Sequence, residues 1–263
     1  MTKRVQELFD LSGRTAIVTG GARGLGRQSA LALAEAGADV AICDLLEDEG
    51  ERTSEEIRGL GRKACFGQAD VTSSAQIVSF VEDVTAQLGK IDILVNNAGM
   101  PSQGCSLEEQ DDAGWQLMLE TNLSGMFFFG KAVAKQMIAR GQGGTIINIA
   151  SINSFVISNI TPRHNVPYCV AKGGVAQLTR GMASDWAPYH IRANAIAPGY
   201  MLTEQTAKSR AYPEIVARLI ENTPMKRYGQ PDEIKGTVVY LASDASSFMT
   251  GSVVVIDGGT TIW

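Results

Sequence analysis

Residues 15–26 read Thr15-Ala-Ile-Val-Thr-Gly-Gly-Ala-Arg-Gly-Leu-Gly26. A compact apolar run enters a glycine cluster, and helix formers follow from Leu25 to Gly37. A short apolar run bounded by glycine reads as a strand buried on both faces. Glycines at a strand-to-helix turn let the backbone fold tightly, and the first helical N–H groups then face outward as an anion site. Spacing tests two loop chemistries. A Walker A loop needs Lys and Ser/Thr after its last glycine, but Gly26 runs into Arg27-Gln28. The GxGxxG fingerprint fails as well, because Gly24-Leu-Gly26 is followed three residues on by Ser29. What remains is TGxxxGxG, with Gly20, Arg23, Gly24, Leu25 and Gly26 as candidate pyrophosphate contacts.

The alternation continues down the chain. Further strands are expected at 39–43, 63–66, 91–95, 145–149, 191–196 and 253–256. Helical stretches are expected near 45–60, 73–88, 108–140, 168–186, 203–221 and 231–242. The stretch Ser73 to Leu88 carries Ile77, Phe80, Val81, Val84 and Leu88 at helical spacing. Apolar strands alternating with helices call for an α/β fold. The expectation is a single-domain, Rossmann-type, doubly wound parallel sheet of seven strands flanked by helices. Residues 1–263 would form one dinucleotide-binding catalytic domain, with a substrate-side helical insert at about 203–222. Ligands of such sheets bind at the carboxyl ends of the strands, so motifs that follow strands carry the most weight.

Composition narrows the rest. The 263 residues are 44% hydrophobic and 19% charged, which argues against disorder. A net charge of −5 removes the usual electrostatic footprint of a nucleic-acid binder. No apolar run is long enough to span a bilayer, and Met1 to Asp10 lacks the apolar core of a secretory leader. Cys43, Cys65, Cys105 and Cys169 form no CxxC pair, so they read as reduced thiols in a cytoplasmic protein. With only His164 and His190 present, no metal site is expected. Glycine is in excess, 28 residues, and its placement is informative.

Asp44 ends the second strand, 18 residues after Gly26. A carboxylate there can accept hydrogen bonds from an adenosine ribose and would repel a 2′-phosphate. This favours NAD. Arg23 keeps NADP open as the less favoured choice, since a cation in the loop could pair with that phosphate. Asp70-Val71 and Asn96-Asn97-Ala98-Gly99 follow the third and fourth strands, where adenine and ribose would lie.

Tyr168-Cys-Val-Ala-Lys172 sets a phenol and an ammonium four residues apart, on one helical face. A tyrosine acting as a base near neutral pH needs its pKa lowered by about three units. A neighbouring Lys⁺ and a cationic nicotinamide act in that direction. Ser151 closes the fifth strand and could hold a substrate oxygen. It does not read as a triad nucleophile, because no GxSxG elbow exists. His164 lies between Ser151 and Tyr168 and is a candidate substrate contact. His190 precedes a strand and reads as structural.

Together these residues resemble the short-chain dehydrogenase/reductase family, over essentially the whole chain from Thr15 to Gly259. The resemblance rests on the glycine motif, Asp70, the Asn-Asn-Ala-Gly run, Asn122, Ser151, Tyr168/Lys172 and Ala197-Pro-Gly199. It implies a catalytic tetrad of Asn122, Ser151, Tyr168 and Lys172. Tyr168 would exchange the hydroxyl proton and Ser151 would orient the oxygen. Lys172 would bind the nicotinamide ribose, and Asn122 would hold a water. It further implies that Pro198, Gly199, Met201 and Thr203 contact the nicotinamide. The separation of Ser151 from Tyr168, 17 residues, is longer than the family's usual spacing. The extra segment, with Phe155, Ile157, Asn159, Ile160 and Arg163, should border the substrate together with Asn153 and His164. The segment Arg192–Met201 and the ending Asp257–Trp263 look like the family's sugar-acid and polyol dehydrogenases of gluconate, deoxygluconate and galactitol type. The implied activity is NAD-dependent interconversion of a secondary alcohol and a ketone on a sugar acid or polyol. The rivals are an NADPH-dependent 3-oxoacyl-thioester or other carbonyl reductase, and a non-catalytic nucleotide sensor. A homotetramer is implied, with the apolar tail Ile262-Trp263 at a subunit interface.

Overall fold

The strand Thr15–Thr19 (β1) is buried at all five positions, as its apolar run requires. In the computed structural model, described for residues 3–101, 105–158, 160 and 164–262, it sits near the centre of a seven-stranded sheet. The others are Asp39–Asp44 (β2), Ala64–Gln68 (β3), Ile93–Asn96 (β4), Gly144–Ile149 (β5), Ile191–Pro198 (β6) and Val253–Ile256 (β7). The order is β3-β2-β1-β4-β5-β6-β7, and every pairing is parallel. The chain winds outward from β1 to β3, then returns to the other side at β4. Between β1 and β4 the two loops therefore diverge, and a crevice opens at the carboxyl ends.

A short helix at Val5–Leu8 (α1) precedes β1 and has no counterpart in the sequence reading. Alternate strand residues face opposite layers. Val18, Val40, Ile42, Ile93, Val95 and Ile147 pack with Leu33 of Gly24–Glu35 (α2) and Ile57 of Glu47–Gly59 (α3). On the other face Ile17, Leu94 and Ile146 meet Phe80 of Ser74–Leu88 (α4). Phe129 and Met137, from Gly125–Arg140, and Met182, from Val166–Trp186, complete that face. A polar chain crosses this layer. Asn96 Nδ2 donates to Asn148 Oδ1 at 2.9 Å, and Asn148 Nδ2 donates to Thr179 Oγ1 at 2.9 Å. It ties β4 and β5 to the helix that carries Tyr168 and Lys172.

Three further expectations change. The helix expected from Glu108 to Arg140 is broken into a 3₁₀ turn (Leu107–Glu109) and the helices Asp112–Leu119 (α5) and Gly125–Arg140 (α6). A π-helical turn at Glu120–Ser124 joins α5 to α6. Asp111 starts α5 by accepting from Gly114 N at 2.7 Å, which ends the preceding turn. With Val166–Trp186 as α7, the insert is likewise three pieces: a 3₁₀ turn at Glu204–Thr206, then Ala207–Arg210 (α8) and Pro213–Asn222 (α9). Tyr212 is extended, as the proline that follows it requires. The helix expected at 231–242 begins as a 3₁₀ turn and becomes Lys235–Ala242 (α10). The four cysteines are free, Cys43 and Cys169 buried.

Candidate active site

The glycine loop joins β1 to α2 at the crevice. Gly20 and Gly24 hold φ values of 62° and 57°, in the left-handed region that favours glycine. A Cβ on Gly20 would lie 2.9 Å from Ala98 Cα, and one on Gly26 would overlap the Gly20 carbonyl oxygen. The turn therefore closes only without side chains, and it brings the start of α2 against the loop after β4. Leu25 packs on the core, while Arg23 stands exposed at the N-cap of α2.

Two residues fasten this crevice. Thr19 Oγ1 accepts from the N–H groups of Asn97 and Ala98, each at 3.0 Å. Asn97 Nδ2 donates to the carbonyls of Thr19 and Gly20 at 3.0 and 2.9 Å. The Asn97 amide thus holds the scaffold, and Thr19, which the sequence reading passed over, is its partner. The only signal in the sequence was a threonine directly before the glycine pair.

Asp44 ends β2 beside the loop. Its carboxylate accepts from Ala22 N at 3.0 Å, Leu45 N at 2.8 Å and Leu46 N at 3.1 Å. Asp70 follows β3 and accepts from both the N–H and the hydroxyl of Thr72 at 2.8 Å. Val71 lies against Gly125, and Gly99 lies against Asn122, where a Cβ would meet Oδ1 at 2.6 Å. The row of glycine loop, aimed carboxylate and small residues at successive strand ends fits an extended dinucleotide.

Ser151 follows β5, Tyr168 and Lys172 stand on the first turns of α7, and Asn122 lies in the π turn before α6. Ser151 is 9% exposed and its Oγ accepts from Asn153 N at 3.1 Å. Tyr168, on the first turn of α7, is close enough to Ser151 for that hydroxyl to lower its pKa. Lys172 is 3% exposed and donates to Ile149 O at 2.7 Å, with Nζ 5.7 Å from the centre of the Tyr168 ring. Asn122 is fully buried in the π-helical turn. Its Nδ2 donates to the carbonyls of Met100 and Met118 at 3.2 Å, and its Oδ1 accepts from Met100 N at 3.2 Å. The widened turn lets this side chain reach the loop after β4, and π turns recur at functional sites.

Burial dominates the electrostatics. It pushes Tyr168 up to about 12, while the neighbouring polar side chains of Ser151 and Gln205 pull it down. Burial pushes Lys172 down to about 7.

The segment after β6 crosses the mouth. Pro198 ends β6, and Gly199 packs so closely on Asp257 that a Cβ would come 2.7 Å from its Cα. Met201 is buried and bridges to Gly229. Thr203 lies over the glycine loop, 3.8 Å from a Cβ built on Gly24. The Asn153 Oδ1 is buried with no hydrogen-bond partner among the described residues. His164 is exposed and its Nδ1 pairs with Ser158 O at 2.9 Å. Ser158 Oγ and Tyr200 Oη lie 2.7 Å apart, and Ile160 packs with Leu219 and Tyr228. Part of the long Ser151–Tyr168 segment is therefore packed beneath the insert. Phe155, Val156 and Ile157 remain exposed. Asn159, Arg163 and Trp263 lie outside the described residues.

A family model described as Enoyl-(Acyl carrier protein) reductase matches residues 20–261. Gluconate 5-dehydrogenase of Gluconobacter oxydans (strain 621H) is 39% identical, over 97% of this chain and 98% of that protein. Galactitol 2-dehydrogenase (L-tagatose-forming) of Cereibacter sphaeroides is 36% identical, over 97% of this chain and 98% of that one. Among solved structures, a short-chain type dehydrogenase/reductase from Mycobacterium marinum superposes with a TM-score of 0.94, at 41% identity, over 98% of this chain and 99% of that one. A gluconate 5-dehydrogenase from Burkholderia cenocepacia J2315, in complex with NADP and tartrate, gives 0.92 at 39% identity, over 99% and 100%. Sheet order, strand-end residues and these matches agree: the chain belongs to the short-chain dehydrogenase/reductase family and is an NAD(P)-dependent oxidoreductase.

Proposed function

We propose that this enzyme oxidises a secondary hydroxyl of a sugar acid or polyol to the ketone, reversibly, with NAD as the favoured cofactor. The observation that carries the reading is Lys172, buried and bonded to Ile149 O, with its Nζ 5.7 Å from the centre of the Tyr168 ring and Ser151 at the end of β5 close by. The named relatives act on gluconate and galactitol, which sets the substrate class.

In oxidation, the Tyr168 oxygen takes the hydroxyl proton of the substrate. Ser151 holds the same substrate oxygen through its hydroxyl, and its fixed bond from Asn153 N keeps it aimed. The dinucleotide, when bound along the crevice, supplies the acceptor for the hydride lost from carbon. A protonated Lys172 favours the phenolate over the phenol, since an opposite charge stabilises the ionised form. Asn122 keeps the loop after β4 and the π turn in register through Met100. Gly20, Arg23, Gly24, Leu25, Gly26, Asp44, Asp70, Val71, Asn97, Ala98, Gly99, Pro198, Gly199, Met201 and Thr203 form the cofactor wall. Asn153 and His164 face the substrate side. The orphaned Asn153 Oδ1 supports the first of these, because a polyhydroxylated substrate brings the donors it lacks.

Asp44 supports NAD: its carboxylate beside the glycine loop opposes a 2′-phosphate. A second reading, an NADPH-dependent carbonyl reductase, draws support from the exposed Arg23 at the same loop and from the NADP bound by the Burkholderia relative. Initial rates on gluconate and galactitol with NAD and NADP separate the two. Tyr168→Phe should abolish turnover while NAD still quenches protein fluorescence; substantial residual turnover would remove the mechanism.

Residues 1–263 serve as one catalytic domain, which we read as a cytoplasmic homotetramer. Free thiols support the compartment, and no described helix is long and apolar enough to cross a membrane. The assembly is supported by exposed Phe127 on α6, Val170 on α7, and Val255 on the open edge strand β7. Ile262 is 75% exposed, as an interface tail would be in a lone subunit. Sedimentation equilibrium tests the tetramer.

A further inference from the structure

A carboxylate stands over the glycine loop. Glu204 opens the 3₁₀ turn Glu204–Thr206, which follows β6 and crosses the mouth of the crevice. Gly24 opens α2 with φ 57°, and a Cβ built on it would lie 3.4 Å from Glu204 Oε2 and 3.8 Å from Thr203 Cβ. The backbone that carries Glu204 is braced. Thr206 Oγ1 donates to Met201 O at 2.8 Å and to Thr203 O at 3.0 Å. Arg210 Nη2 donates to Thr203 O at 2.9 Å, and Leu202 N donates to Gly229 O at 2.9 Å. Glu204 itself is exposed, and its carboxylate is in no ion pair among the described residues. Beneath it, the first helix bond of α2 runs from Arg27 N to Arg23 O at 3.1 Å. The N–H groups of Gly24, Leu25 and Gly26 therefore have no carbonyl partner within the helix.

We propose that Glu204 limits the affinity for the dinucleotide: its carboxylate stands beside the N-terminus of α2 in the empty crevice and opposes the pyrophosphate that binds there. Two effects share this sign. A helix N-terminus attracts a carboxylate, so the empty state is favoured while Glu204 lies against it. Once the pyrophosphate takes those N–H groups, the same carboxylate is a like charge on a turn too well braced to swing far. Arg23, next to Gly24 on the loop, carries the opposite charge and acts in the opposite direction. An enzyme that exchanges its oxidised for its reduced dinucleotide at every turnover gains from such a weakening, because the cofactor must also leave. The inference rests on the reading that the dinucleotide lies along the glycine loop.

The test is a fluorescence titration with NADH, followed by its displacement with ADP and with adenosine, on wild type, Glu204→Gln and Glu82→Gln. In Glu204→Gln the Kd for NADH and for ADP should fall by about fivefold at low ionic strength, the upper range for an exposed charge pair. Adenosine, which has no phosphate, should bind as it does to wild type. The gap should narrow as salt is raised. Glu82 is exposed on α4, on the opposite face of the sheet from α2, and its substitution changes the net charge equally. Glu82→Gln should therefore leave all three affinities unchanged. Equal or weaker binding of NADH and ADP by Glu204→Gln overturns the role of Glu204 and leaves the cofactor site standing. A fivefold gain that extends to adenosine overturns it as well, because no phosphate is then involved. If ADP displaces NADH from none of the three proteins, or NADH binds to none, the pyrophosphate does not lie at the glycine loop and both readings fall.

Discussion

Lys172→Met should make the unliganded enzyme inactive and more stable. Lys172 is 3% exposed, and burial pushes its ammonium down to about 7 from an ordinary 10.5. In the unfolded chain the ordinary value returns. Below pH 7 both states are protonated, and the folded state bears the full desolvation cost. Between pH 7 and 10.5 the folded lysine releases its proton while the unfolded one keeps it, so stability rises with pH through that window. The lowering corresponds to about 5 kcal/mol at low pH. Methionine keeps the length of the side chain and removes this cost. It also removes the donor to Ile149 O, which returns about 1–3 kcal/mol. The net gain at pH 6 is about 2–4 kcal/mol, worth several degrees in a chain of this size. Wild type itself should recover about 3 kcal/mol between about pH 6 and about pH 9, so the advantage of the variant shrinks toward zero there. Thermal unfolding of both proteins across that range, followed by circular dichroism, reads the difference directly. If Lys172→Met melts below wild type at the acid end, or the two profiles run parallel, Lys172 carries no burial cost and the account of its charge is wrong.

Four further outcomes follow from the same geometry. Gly26→Ala must displace the Gly20 carbonyl, so it should destabilise by about 1–3 kcal/mol and weaken NAD binding in a fluorescence titration. Gly59→Ala, whose Cβ meets nothing within 4 Å, should be neutral in the same melt. Asp44→Ala should reduce the preference for NAD over NADP by about tenfold or more in kcat/KM, as expected for losing a hydrogen bond from a charged group; an unchanged ratio would mean the ribose lies elsewhere. Asn148→Ala leaves Asn96 and Thr179 without their shared partner and should lower stability to urea by about 2–4 kcal/mol.

The sheet was legible because each strand is a local apolar run, and β7 matches its expected bounds of Val253 and Ile256. Helix ends were legible where the cap is local. Ser73 accepts from Gln76 N at the start of α4, and Gly89 closes it with φ 85°. Features made by distant partners were not. The π turn at Asn122 exists with bonds to Met100, 22 residues away, and nothing in residues 120–124 alone asks for it. Asn97 could serve ligand or scaffold on sequence grounds. Thr19, 78 residues earlier, supplies the bond that commits its backbone, and the Gly20 carbonyl takes its amide. The long segment before Tyr168 shows the same logic. Its extra apolar residues suggested a substrate wall, yet Ile160 finds Leu219 and Tyr228 beneath the insert. An excursion that carries apolar side chains over a surface gains by burying some of them, and Ile160 does so against Leu219 of the insert. The consequence is mechanical: Ser158 bonded to Tyr200, and Ile160 packed near α9, make the two sides of the mouth a single packed unit.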